Sequence, residues 1–152
     1  MESTRRIRIY IDASNGHDTG IAFANPGDTL VSLTISSVQI DGLSLGAPSS
    51  NLVLQPRAHT AKFIREFTGS YWQGHKGLVE ISADGPINAV TLRSLLNQRG
   101  EFLLTTVPVA DLERPAPAAI FPQIADGDGY RTEVILISPG DTAVSAAINF
   151  FY

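Results

Sequence analysis

Several side chains in this sequence have the types and spacing that chemistry would need. Ser70, His75 and Asp84 follow one another in the order nucleophile, base, acid. Acyl transfer needs such a set held in mutual contact. The strained Gly-x-Ser-x-Gly turn that presents a serine nucleophile is missing, so the three read as polar loop residues. Glu80 and Glu101 are the candidate acid pair for glycoside hydrolysis, which needs two carboxyls facing one cleft. Glu80 lies between Val79 and Ile81 and Glu101 opens a strand, so both are expected on solvent faces. Asp126 and Asp128 sit among glycines, where a hard cation would find oxygen ligands. The twelfth residue from Asp126 is Ile137, not glutamate, so the calcium-loop pattern fails and a Gly-rich turn is expected. Tyr71 and Trp72, between Gly69 and Gly74, could stack on sugar rings. The other reading, Trp72 as a cap over one end of the core, is preferred because a large apolar ring seldom stays exposed.

Composition narrows the classes further. The chain has 152 residues, no cysteine and three histidines, His17, His59 and His75. That excludes disulfides, thiolate zinc and a cysteine nucleophile, and leaves little for a histidine metal site. No metal and no cofactor are expected. The net charge of -4 argues against a nucleic-acid partner, since phosphate binding needs a surplus of Lys and Arg. No apolar run reaches transmembrane length. Met1 to Arg6 is charged with no apolar core behind it, so a signal peptide is not read here.

The elements that must hold these residues alternate with period two. Ile7, Ile9 and Ile11 share one face of a first strand. Asn15-Gly16 turns; Gly20–Ala24 is a strand; Asn25-Pro26-Gly27-Asp28 turns; Leu30 to Ile35, or on to Ile40, is a strand; Asp41-Gly42 turns. Leu52–Leu54 is a strand stopped by Pro56, followed by a strand start near residue 58 and one helical turn at Ile64–Phe67. Leu78–Ile81 is a strand, Asp84-Gly85-Pro86 a turn, Ile87–Leu96 a strand, Asn97–Gly100 a turn and Glu101–Val107 the return. Prolines 108, 115 and 117 mark residues 108–119 as a linker. The expected fold is all-β, an immunoglobulin-like antiparallel sandwich with at most one short helical turn. The core is expected at Ile21, Phe23, Val31, Leu33, Leu52, Leu54, Val79, Ile81, Val90, Leu92, Leu103 and Val134.

The tail repeats the head. Residues 16–35, moved by 113 positions, lie on 129–148 without a gap. Nine of the twenty positions are identical, including Pro26-Gly27-Asp28-Thr29 against Pro139-Gly140-Asp141-Thr142. Chance resemblance between two hairpins does not readily yield four consecutive identities with matched alternation on both sides. The domain reading is a module over 1–107, the linker, and a truncated second copy over 120–152 that packs on its own or a neighbouring sandwich.

Gly20–Thr29, Leu52–Pro56, Arg99–Thr106 and Phe121–Gly127 together resemble an uncharacterised β-sandwich module that occurs in tandem in large bacterial secreted and surface proteins. The resemblance spans most of residues 10–152 and carries no catalytic motif. It implies an extracellular or cell-surface location and a structural or adhesive role. The resulting expectation is a non-enzymatic module that self-associates as a homo-oligomer or filament by strand addition. Ile7, Ile9 and Ile11 on an exposed edge strand, and Val144, Ile148 and Phe150 on the tail, are the candidate self-association residues. Arg5, Arg6 and Arg8 would guard that edge against unwanted pairing. The alternative is a carbohydrate-binding module using Tyr71 and Trp72, with glycans as partners.

Overall fold

Alternating apolar residues produce strands with one dry face, and such strands must stack in layers. A computed structural model describes residues 3–38, 49–116, 118–121, 123–129, 132–140 and 142–151. Among the described residues eight strands form: β1 (Thr4–Asp12), β2 (His17–Ala24), β3 (Val31–Val38), β4 (Ser50–Leu54), β5 (His59–Phe63), β6 (Lys76–Leu96), β7 (Phe102–Val107) and β8 (Ala110–Asp111). A five-residue helix, α1 (Ile64–Thr68), and a 3-10 turn (Gly69–Trp72) sit between β5 and β6. One sheet runs β4-β3-β6-β1-β8 and the other β5-β2-β6-β7, with every pairing antiparallel. The all-β class with one short helical stretch is thus as expected. The extension of β3 to Ile40 and the Asp41-Gly42 turn lie outside the described residues.

The apolar core lies between the sheets. Ile7, Ile9 and Ile11 of β1 meet Ile21 and Phe23 of β2, Val31, Leu33 and Ile35 of β3, and Val79, Ile81 and Ile87 of β6. Phe67 of α1 packs edge-on against Phe23 with ring centroids 6.1 Å apart. The helix starts because Glu66 turns back to accept a hydrogen bond from the Phe63 N–H at 2.7 Å, satisfying an otherwise orphan donor.

The main correction concerns β6. Asp84-Gly85-Pro86 is not a turn. The strand runs straight through it and leaves one sheet for the other. Pairing with β3 ends at Ala83 and pairing with β2 begins at Asn88. Pro86 stands between the two ladders, where its missing N–H costs no sheet bond. A Cβ on Gly85 would lie 2.8 Å from Val31 Cγ2, so the close crossing needs glycine. Because the strand is continuous, its parity is too. Val79 and Ile81 face inward, and so do Ile87, Ala89 and Thr91. Val90 therefore faces out, and Leu92 is only half-buried on the same side. A turn at 84–86 would have allowed the opposite assignment.

Two further expectations change. β1 is not an edge strand, because it pairs with β6 along most of its length and with β8 at Ile7 and Arg8. Its isoleucines fill the core. Leu103 is exposed rather than buried, on a β7 whose residues all stand at least partly in water. Within the segment read as a linker, Ala110 and Asp111 form β8. Beyond it the described residues form no strand, although Val134, Ile135 and Ile137 are half-buried. Among the described residues no helix is long and apolar enough to cross a membrane.

The continuous parity of β6 can be measured. Ile87→Ala is expected to cost about 2–4 kcal/mol in urea unfolding. Val90→Ala, three residues on, is expected to cost under about 1 kcal/mol. The reverse order would place the opposite face of β6 in the core.

Candidate functional site

Polar chemistry concentrates at the corner where β1 hands over to β2. Asp12 ends β1 fully buried. Its Oδ1 accepts hydrogen bonds from the Ser14 N–H at 3.1 Å and the Ser14 hydroxyl at 2.7 Å. Its Oδ2 meets Lys76 Nζ at 3.2 Å, and Arg93 donates to the same oxygen from near the far end of β6. Thr19 Oγ1 accepts from the Asp12 N–H and donates to the Asp12 carbonyl, each at 3.1 Å. Asp12 thus ties β1 to β2 through its backbone and Thr19, and β1 to both ends of β6 through its carboxylate. Burial alone would raise its pKa, but the Ser14 bonds and the Lys76 and Arg93 cations outweigh that and hold it low. Lys76 is raised in turn, chiefly by its bond to Asp12. Tyr10 is pushed up by burial and by the nearby Glu133 carboxylate. With both oxygens occupied and its proton held off, Asp12 is built to clamp and not to shuttle protons.

A second ionic knot lies along β1. Glu80 accepts from Arg6 Nη2 at 2.8 Å and from Arg8 Nε at 2.9 Å. Burial pushes Glu80 up and the two arginines bring it below its ordinary value. Glu80 does point outward as alternation requires, but it is largely covered and paired, not freely solvated. The arginines read as guards of an open edge instead anchor this glutamate. Arg8 also donates from Nη1 to the Ser138 carbonyl at 2.7 Å, which pins the tail against β1.

The residues singled out in the sequence do not assemble into one site. Trp72 is 0% exposed, so it offers no face to a sugar ring. The 3-10 turn swings it inward, over Gly77, where an added Cβ would sit 2.8 Å from the indole. Tyr71 stays at the surface and meets Trp72 edge-on at 6.2 Å. The glycan platform is corrected accordingly, and Trp72 caps the core. Ser70 is exposed, while Asp84 is occupied by the Ser32 N–H at 2.8 Å. Ile7, Ile9 and Ile11 are enclosed, so they are unavailable for self-association as folded. Val144, Ile148 and Phe150 are exposed. Among the described residues no three His, Asp or Glu side chains gather as a metal site would require.

What sequence reasoning missed is the Asp12 corner and the openness of β7. Asp12 stands on the strand face opposite the isoleucines, which alternation labels as solvent. The Thr19/Thr132 identity in the repeat was a signal, because a threonine kept in both copies marks a side chain that closes the β1–β2 turn. β7 pairs only with β6 among the described residues. It exposes Phe102, Leu103 and Leu104 by 63%, 49% and 56%, so both of its faces are apolar and wet. Leu103 and Leu104 line a 300 Å³ cavity with His17, Arg93 and Leu95. The His17 Nδ1 and Arg93 Nε atoms are buried without a hydrogen-bond partner among the described residues.

The corner makes stability depend on acid. A carboxyl depressed in the folded state stabilises above its unfolded pKa, near about 4, and that contribution is lost as pH falls through the folded value. Asp12→Asn is expected to cost roughly 2–3 kcal/mol at neutral pH, less than a fully enclosed pair because Lys76 and Arg93 keep some water. The gap between thermal melts of wild type and variant should narrow as pH falls below about 4. A gap that persists unchanged there would mean that Asp12 acts through packing and not charge.

No protein-family model matches the chain, and no curated protein matches it. The crystal structure of Thermotoga maritima 1070 is similar in fold, with a TM-score of 0.55 over 70% of this chain and 93% of that one. The two share 11% sequence identity, a level at which the likeness bears on the fold alone.

Proposed function

We propose that this chain is a non-enzymatic structural or adhesive β-sandwich module that associates with itself on the bacterial surface. The observation that carries the reading is the open apolar end of the second sheet. Phe102, Leu103 and Leu104 of β7, with Leu96 and Val90 of β6, stand in water on a strand whose outer edge has no partner among the described residues. Contiguous apolar surface of this kind is a mark of protein contact, and an uncovered strand edge is a template for another strand. The acidic side chains that the sandwich encloses support the same reading, because Asp12 and Glu80 are committed to cations that hold strands together.

Light scattering of the full chain tests this. At tens of micromolar the wild type should run as a dimer or larger species (on the order of 10–50 µM, where standard-size interfaces are filled). Leu104→Asp should shift it toward monomer with an unchanged circular dichroism spectrum. A wild type that is monodisperse and monomeric across that range sinks the proposal.

A further inference from the structure

The tail repeats the head in geometry as well as in sequence. Asn15 and Gly16 have φ of 51° and 82°; Asp128 and Gly129, 113 positions on, have 50° and 89°. The Thr19 bridge recurs too. Thr132 Oγ1 accepts from the Ala125 N–H at 3.0 Å and donates to the Ala125 carbonyl at 2.9 Å. At the next turn Asn25 Oδ1 accepts from the Gly27 N–H at 2.9 Å, and its Nδ2 donates to the Thr29 carbonyl at 2.7 Å. In the tail Ser138 Oγ accepts from the Gly140 N–H at 3.4 Å and donates to the Gly140 carbonyl at 3.1 Å, with the Thr142 carbonyl farther off at 3.5 Å. The described residues of the second copy therefore keep turn-like side-chain bonds of the head, while no strand forms among them.

The head shows what such strands do when a sheet is at hand. Val31 and Ile35 of β3 are each 1% exposed, whereas their counterparts Val144 and Ile148 are 61% and 53% exposed. β3 is flanked by β4 and β6. Those neighbours are filled by β3 itself, so the repeated arm at 143–151 cannot use them.

We infer that residues 143–151 of one copy add as a strand to the open edge of β7 in a second copy. This rests on the self-association reading above and names its two surfaces. β7 offers Phe102 and Leu104 on one face and Leu103 and Val107 on the other. The arm alternates Val144, Ala146, Ile148 and Phe150 against short Ser145, Ala147 and Asn149. Neither Phe102–Val107 nor residues 142–151 contains a charged residue. Natural edges are usually kept apart by charges, and here none has to be desolvated on pairing. The other edges fit less well: β5 carries Lys62 and His59, β8 is two residues long, and β4 exposes one large apolar side chain, Val53. The arm does not reach its own β7 in the single chain, where Arg8 holds Ser138 against β1 and both surfaces stay in water. Reciprocal exchange between two copies closes a two-fold dimer, and one-way exchange propagates a filament.

Cysteine trapping in the full chain tests the contact, since the native sequence has no thiol. Single variants Thr105→Cys or Thr106→Cys on β7 are mixed with Ser145→Cys or Ala146→Cys on the tail under mild oxidant. At least one mixture should give a disulfide-linked heterodimer, which requires Cα atoms within about 7 Å. Val53→Cys mixed with the same tail variants should not. In light scattering, Val144→Asp with Ile148→Asp should lower the mass toward monomer. A wild-type monomer overturns both the reading and this inference. An assembled wild type whose mass survives the tail substitutions, with no β7–tail crosslink, overturns this inference and leaves the reading standing. A crosslink only within the double variant Thr106→Cys/Ala146→Cys, as monomer, assigns the arm to its own chain and overturns the exchange.

Discussion

Strand β6 pairs directly with β1, β2, β3 and β7, so its single alternation of side chains decides which residues of both sheets face the core. Period two in a strand means that a slip of one residue would exchange every inside position for an outside one. The crossing at Asp84-Gly85-Pro86 carries the strand between sheets without such a slip. Gly85 lets β6 pass against Val31, and Pro86 occupies the stretch that neither ladder claims. The isoleucines of β1 and the apolar residues of β2 and β3 are buried because they stand opposite the inward positions of this one strand.

The polar groups serve the same framework. Asp12 is enclosed at the point where β1 must turn into β2, and it is matched there by Ser14, Lys76 and Arg93. A carboxylate left unpaired at that depth would be strongly destabilising, whereas the paired one fixes β1 against both ends of β6. Glu80 plays a similar part between Arg6 and Arg8. These are ion pairs inside a wall, and they account for the acidic and basic residues that might otherwise be read as chemistry.

The molecule is less complete at its second sheet. β7 pairs only with β6 among the described residues and exposes both of its faces, while the described residues of the tail keep turn-like bonds without a ladder. Side-chain-to-backbone bonds at Thr132 and Ser138 are local, spanning a few residues, so they form without any sheet. Strand pairing is not local and needs a partner edge. That difference explains how the second copy has folded corners and open arms, and it is the physical basis of the proposed exchange.

Much of this was legible in the residues themselves. Alternation gave the strands, the Asn15-Gly16 and Asn97–Gly100 turns, and the helical turn after Phe63, because these depend on neighbours in sequence. The duplication of 16–35 at 129–148 was likewise open to inspection. The sequence alone did not show that Asp84-Gly85-Pro86 is a crossing, since a Gly-Pro pair suits a turn equally well until both flanking ladders are known. Trp72, expected as a core cap, lies inside, but nothing in the sequence placed Leu103 outside, because that depends on what covers β7 in space. Asp12 falls on the solvent face by parity, and its burial is made tolerable by Ser14, by Lys76 and by Arg93 from the far half of β6. Local pattern determined the elements; which of their faces stay dry was decided by contacts between residues distant along the chain.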